Sequence, residues 1–328
     1  MNKNNLILET FLRLTSRTYP HGTEDELVES MIEQGIFPVD LQKDVHGNYF
    51  YKIGESRTIF ASHLDTVCRE QTSVTHTFDG DLIKTDGKTT LGADDKAGVT
   101  ILLHLMRNKI PGLYYFFIGE EVGCIGSGLA AKSGDFNGKY DRIISFDRRG
   151  NNSVITHQSS QRCCSESFAS SLVSEFNKAG MSYRTDDGGV YTDSAEFMSI
   201  IPECTNISVG YYSEHTGKER QNINYLERLA KASVKVNWDS LPTTRKIGID
   251  EETIRKYGKL ISDIKATPFG IDVKIASDRA TTFIQCDLEE GYIDETYEAL
   301  TTLQFLLNKH KVSQKVYFDA EYIKIDLL

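Results

Sequence analysis

A pair of histidines and several acidic residues stand just past strand-like apolar runs of this chain. After TIFAS (58–62) come His63 and Asp65. After LYYFFI (113–118) and Gly119 come Glu120 and Glu121. After RIISF (142–146) comes Asp147, and after CTNISVG (204–210) and a short loop comes His215. A further acid, Asp94, opens the helical pattern that follows GKTTLGAD. In an open parallel sheet, ligands bind along the edge formed by the carboxyl ends of the strands. These side chains are therefore expected to converge on one crevice.

Imidazoles and carboxylates without a thiolate suit a borderline divalent cation: zinc, or else manganese or cobalt. Two such ions about 3.5–4 Å apart can share a carboxylate and a water, polarising a carbonyl while activating the nucleophile. The donor set is large enough for that arrangement. It leaves one acid, Glu120, beside a ligand and free to move protons. Asp65 lies two residues beyond His63, on the same side of an extended chain, where it can hold the other ring nitrogen.

The elements that must position these groups read as an α/β protein. Residues 5–17 and 23–34 have helical patterns, the second capped by Thr23 with Glu24 and Asp25 in its first turn. Strand-like runs at 48–53, 58–62, 113–118, 142–146 and 204–210 alternate with helical patterns at 95–108, 165–179 and 222–237. Several strands are almost continuously apolar, as strands buried on both faces are. The fold class expected is α/β, a mixed, mostly parallel sheet with helices on both faces. A break at 240–248 (SLPTTRKIG) separates a catalytic domain, 1–240, from a small α+β unit, 249–328. That unit reads as a helix (250–264), two strands (270–276 and 280–287), a helix (293–309) and a last strand (315–326). Ile293, Tyr297, Leu300, Leu303 and Leu307 form the core stripe of its second helix.

Bulk properties narrow the partners. The chain has 328 residues, 39% of them apolar and 26% charged, as in ordinary soluble globular proteins. A net charge of −10 argues against a nucleic-acid partner, which needs a basic face. No run approaches the roughly 20 apolar residues of a membrane span, and the N-terminus, interrupted by Glu9, Arg13 and Arg17, does not read as a leader. Six scattered cysteines point to free thiols in a reducing, cytoplasmic setting.

The wording of the motifs goes further. ASHLDTV, TLGADDKAG, GEEVGCIGS, ISFDRRG and SEHTGKE occur in the order found in the zinc-dependent exopeptidases, which include the peptidase T-like and carboxypeptidase families and the compact zinc aminopeptidases. The resemblance runs to about residue 238. It implies that His63 and Asp147 bind one zinc, that Glu121 and His215 bind the other, and that Asp94 bridges both. It implies Glu120 as the general base, Asp65 orienting His63, and a short peptide as substrate. In the peptidase T and carboxypeptidase branch a lid or dimerisation domain follows the ligand corresponding to Asp147. Here the chain from Asp147 to His215 has room only for the rest of the catalytic domain, which favours attack from the free amino end.

Plainer readings stand beside these. Asp94 and Asp95 could both cap the following helix, and Arg148 or Arg149 could pair with Asp147. Asp193 could cap the segment after it or bind a substrate amine. His157 could reach the crevice, Glu219 could be purely structural, and Cys163 and Cys164 read as buried thiols. His21, His46, His76, His104 and His310 have no constellation around them. An amidohydrolase removing an acyl group from an amino acid, or a binding protein on a peptidase fold, are the rival functions. A homo-oligomer stays open.

Overall fold

A computed structural model describes residues 6–247 and, beyond them, 259–260, 262–264, 266, 272–277, 282–287, 293–310, 314–318 and 322–327. The chain divides into two compact units, Met1–Arg245 and Lys246–Leu328.

In the first unit the helices are α1 (Leu6–Leu14), α2 (Glu24–Glu33), α3 (Ala93–Arg107), α4 (Ile125–Lys132), α5 (Glu166–Lys178) and α6 (Ile223–Ser233). Its main sheet is built from β1 (Gln42–Lys43), β2 (Tyr49–Ile53), β3 (Thr58–His63), β6 (Gly112–Phe117), β7 (Arg142–Arg148), β8 (Ser153–Ile155), β11 (Arg184–Asp186) and β12 (Glu203–Ser208). Smaller sheets use β4 (His76–Asp79), β5 (Leu82–Thr85), β13 (Tyr211–Tyr212) and β14 (Arg220–Asn222), and the pair β9 (His157–Gln158) and β10 (Gln161–Arg162).

The eight strands run in the order β1-β2-β6-β3-β7-β12-β8-β11. The four at the centre, β6, β3, β7 and β12, are parallel to one another, and β2 and β8 flank them antiparallel. Every residue of β3, β6 and β12 is buried, which is why these strands read as unbroken apolar runs. Alternation along β6 reveals cover on both faces. Tyr114 and Phe116 meet Phe60 and Phe37, while Tyr115 and Phe117 meet Phe136 and Phe197. Trp238 closes the first of these layers, its ring 4.9 Å from Phe60 and 5.9 Å from Phe176 of α5.

Helix α3 runs unusually close to the sheet. A Cβ on Gly98 would lie 2.2 Å from the Phe146 carbonyl oxygen, so only glycine permits this approach. The contact brings the start of α3 beside the end of β7. The stretch between Asp147 and His215 stays in the same unit, supplying β8–β12 and α5.

In the second unit β15 (Asp272–Ser277), β16 (Thr282–Asp287), β17 (Gln314–Phe318) and β18 (Tyr322–Leu327) form an antiparallel sheet in the order β15-β16-β18-β17, with α7 spanning Ile293–Lys309. The single strand expected at 315–326 is instead two, because the chain turns back and pairs Lys315 with Asp326. Leu303 and Leu307 are buried as expected, while the side chains of Ile293, Tyr297 and Leu300 and most of the expected helix at 250–264 lie outside the described residues.

The cap expected at Thr23 differs too. Its hydroxyl donates to the Pro20 carbonyl at 2.7 Å instead of receiving a helix amide. No helix among the described residues is long and apolar enough to cross a membrane.

Candidate metal centre

The four central strands deliver their chemistry to one edge. His63 ends β3, Asp147 is the penultimate residue of β7, Glu120 and Glu121 follow β6, and His215 lies between β13 and β14. Asp94 sits between the two imidazoles, with Oδ1 3.0 Å from His63 Nε2 and Oδ2 3.1 Å from His215 Nε2. Asp147 Oδ1 lies 3.7 Å from His63 Nε2, and Glu121 Oε1 lies 3.0 Å from His215 Nε2. Thus one carboxylate serves both rings, and each ring has a second carboxylate of its own.

Asp94 and Asp95 divide two tasks. Both fall outside helical φ/ψ at the head of α3, joined by a cis peptide bond. Asp95 turns inward, accepting from the Gly98 amide at 3.1 Å through Oδ1 and from the Ser62 hydroxyl through Oδ2. That is helix capping. The hydrogen bonds to the two imidazoles are made by Asp94. The Asp94 amide in turn donates to Glu219 Oε1 at 3.0 Å, while Glu219 Oε2 accepts from Leu91 at 2.8 Å and Gly92 at 2.9 Å. Glu219 therefore fixes the loop that presents Asp94.

Asp65 does two jobs from full burial. Its Oδ1 lies 3.3 Å from His63 Nδ1, and its two oxygens accept from the Glu120 and Glu121 amides at 3.1 Å each. Around Asp147, the Thr192 hydroxyl donates at 2.6 Å and the Tyr211 hydroxyl at 3.1 Å. Arg148 and Arg149 do not pair with it: they reach the Gly188 carbonyl and Glu214. Lys96, wholly buried, donates to the Leu64 and Asp65 carbonyls and the Thr66 hydroxyl, tying α3 to the loop after His63.

Titration behaviour reflects crowding of negative charge. Burial pushes Glu120 up to about 9, Asp193 to about 8 and Asp147 to about 6. Burial also opposes charge on His63, yet hydrogen bonds to Asp147, Asp65 and Asp94 raise it well above the ordinary histidine value. Hydrogen bonds to Asp94 and Glu121 lift His215 to about 11. Asp94 falls below the usual carboxylate range, because the bonds from His215 and His63 outweigh its burial. A site that forces protons onto its bases is one arranged for positive charge.

The donor set fits divalent cations. Among the described residues, ligand atoms of His63, Glu120 and Glu121 lie within 4.8 Å of one another, as do those of Asp94, Glu121 and His215 and those of His63, Asp95 and Asp147. Glu121 Oε1 and His63 Nδ1 are buried without a well-aligned hydrogen bond, which leaves Glu121 with an unspent lone pair. His215 has φ 62°, a left-handed conformation costing roughly 1–2 kcal/mol in a non-glycine residue.

Other nominated residues fall differently. Asp193 is buried in a short 3-10 helix whose N-cap is Thr192, so it caps nothing, and its Oδ1 has no hydrogen-bond partner. His157 is half-buried on β9, its Nδ1 3.0 Å from the Thr156 hydroxyl. Cys163 and Cys164 are buried free thiols facing the Ile155 carbonyl. Tyr211, Thr192 and Lys96 went unmarked in the sequence because their roles depend on contacts with distant segments.

One buried imidazole, His63, and one exposed imidazole, His215, thus stand among carboxylates on the carboxyl edge of an open α/β sheet, a donor set that could hold divalent cations. Over about 70% of its length the chain shares its fold with solved peptidases. It resembles aminopeptidase PepT from Bacillus cereus ATCC 10987 with TM-score 0.59 and 16% identity, covering 70% of this chain and 96% of that one. A tripeptidase from Staphylococcus aureus subsp. aureus Mu50 gives TM-score 0.56 and 17% identity, covering 71% and 97%. The TET1 peptidase of Pyrococcus horikoshii, which can assemble into a tetrahedron or a large octahedral shell, gives 0.53 and 17%, covering 70% and 98%. No family model and no curated protein matches the sequence.

Proposed function

We propose that this chain is a two-metal exopeptidase that cleaves the amino-terminal bond of short peptides. The observation that carries the reading is Asp94, shared between His63 and His215 at 3.0 and 3.1 Å. His63 and Asp147 would hold one ion, Glu121 and His215 the other, and Asp94 both; zinc suits these donors best. Ions held there would lower the pKa of a water and polarise a scissile carbonyl.

The chain's own groups do the rest. Glu120 takes a proton from the attacking water on its carboxylate and returns it to the leaving amine. Its high pKa suits the second step, and nearby cations would lower it for the first. Asp65 holds the His63 ring in one orientation and, through the Glu120 and Glu121 amides, sets the base relative to a ligand. Thr192 and Tyr211 hold Asp147 in place.

The preference for the amino end is supported by the uninterrupted unit between Asp147 and His215, where a lid domain would otherwise contribute groups for a substrate carboxylate. A homo-oligomer is supported by the assemblies of the TET1 peptidase. A reducing, cytoplasmic setting is supported by the free thiols of Cys68, Cys124, Cys163, Cys164 and Cys204. The test sets a peptide with a free amino terminus beside its acetylated twin, each with and without a chelator. Cleavage of the free peptide alone, abolished by the chelator, is expected. Equal cleavage of both, or indifference to the chelator, overturns the reading.

A further inference from the structure

Three successive backbone amides after β6 each end on a buried carboxylate. The Glu120 and Glu121 amides donate to Asp65, and the Gly119 amide donates to Glu24 Oε1 at 3.2 Å. Asp65 belongs to the site, but Glu24 comes from the first turn of α2, 95 residues upstream of Gly119. Glu24 is only 3% exposed. A carboxylate buried so deeply requires compensating donors. It has three: the Gly119 amide, the Gly22 amide at 2.6 Å, and His21 Nδ1 at 2.7 Å. The positive end of α2 adds to them.

His21 is more than a partner for Glu24. A Cβ on Gly119 would come within 2.9 Å of ring atoms Cε1 and Nδ1, so the imidazole lies directly over this glycine. Gly119 has φ +63°, a conformation that leaves the residue before Glu120 intrinsically soft. A general base must be held to about 0.5 Å, and a hinge with a glycine's freedom must be fixed from outside.

We propose that His21 and Glu24 form a positioning pair that locks the Gly119–Glu121 loop, with Asp65 as the other anchor, and so sets Glu120 for proton transfer. The inference rests on the hydrolytic reading above. Neither residue touches the candidate ligands, so their loss should disturb the base and spare the metals. A displacement of about 1 Å at a reacting group costs on the order of a hundredfold in rate.

Glu24→Ala is expected to lower kcat about tenfold to a hundredfold, with KM within about twofold and metal content unchanged. Glu24→Gln, which keeps an acceptor for Gly119, should recover most of the loss. His21→Ala should give a smaller loss of the same kind, and the double variant should fall no further than Glu24→Ala, because the two residues act as one unit. If Glu24→Ala does not fold, His21→Ala, which removes a partly exposed ring, carries the same kcat-against-KM test. Hydrogen exchange at the Gly119, Glu120 and Glu121 amides supplies a readout independent of turnover, and it should quicken in both single variants. Wild-type kcat in the variants, joint loss of kcat, KM and metal, or unchanged exchange would each overturn the proposal. If the wild type cleaves no peptide, the hydrolytic reading fails, while exchange still decides whether the pair holds the loop.

Discussion

The Asp94 carboxylate brings Oδ2 to 3.1 Å from His215 Nε2 while its other oxygen lies 3.0 Å from His63 Nε2, so this acid joins the two imidazoles. Removing a shared ligand should weaken both ions together. Asp94→Ala is expected to lose metal from both positions and at least a thousandfold in kcat/KM, on the order expected for loss of metal assistance. Plasma mass spectrometry on the dialysed protein reads the stoichiometry. Retention of a full metal complement would show that Asp94 bridges nothing.

On the proposed function, a Glu120 variant should separate chemistry from binding. In Glu120→Gln the side chain keeps its size and can no longer accept the water's proton. Metal content and KM should stay near wild type while kcat falls by about 10²–10⁴. Loss of metal alongside kcat would instead make Glu120 a ligand.

The strand-end residues were legible because the four central strands are buried on both faces, so each reads as an apolar run with an abrupt polar stop. His63, Glu120 and Asp147 occupy those stops, and no tertiary information was needed to find them. The hairpin of β4 and β5 was invisible: His76–Asp79 is half-exposed or exposed throughout, and the pairing of β5 with β14 spans the chain. Helix α4 was missed because its eight residues, IGSGLAAK, include two glycines and have no clear polar face. Glu24 looked like an ordinary first-turn acid, since only the fold brings Gly119 to it. The candidate ligands left motif-scale traces, as did Asp65 and Glu219 that support them, while Glu24, Thr192 and Tyr211 left none.

Glu219, legible in SEHTGKE, takes the structural role that the sequence left open. Glu219→Ala would leave the buried amides of Leu91, Gly92 and Asp94 without an acceptor. Each orphaned donor costs about 1–3 kcal/mol, so a total loss of several kcal/mol is expected, together with weaker metal binding as the Asp94 loop relaxes. Urea denaturation measures the first effect and metal titration the second. A destabilisation under about 1 kcal/mol would remove Glu219 from the support of this loop.

The protonation pattern predicts how the chelated protein responds to alkali. Glu120 and Asp193 have folded pKa values raised to about 9 and about 8, whereas an unfolded acid titrates near 4. His63 and His215 are raised as well, so the stability they contribute is complete below about 6.5 and is lost as pH climbs through their folded values. In both cases the folded chain binds more protons than the unfolded one, and stability must therefore fall as pH rises. The depressed groups Asp94 and Asp65 oppose this only below about pH 4, and His76 and His104, lowered by burial, only below about 6.5. Lys96, also lowered by burial, opposes it at the alkaline end. Between about pH 7 and pH 9 the Tm of the chelated protein should decline. Zinc competes with the same protons, so the Tm gap between metal-loaded and chelated protein should widen across that window. Differential scanning calorimetry at stepped pH makes the comparison, and a chelated protein whose Tm holds level or rises there would contradict the charge balance described for the site.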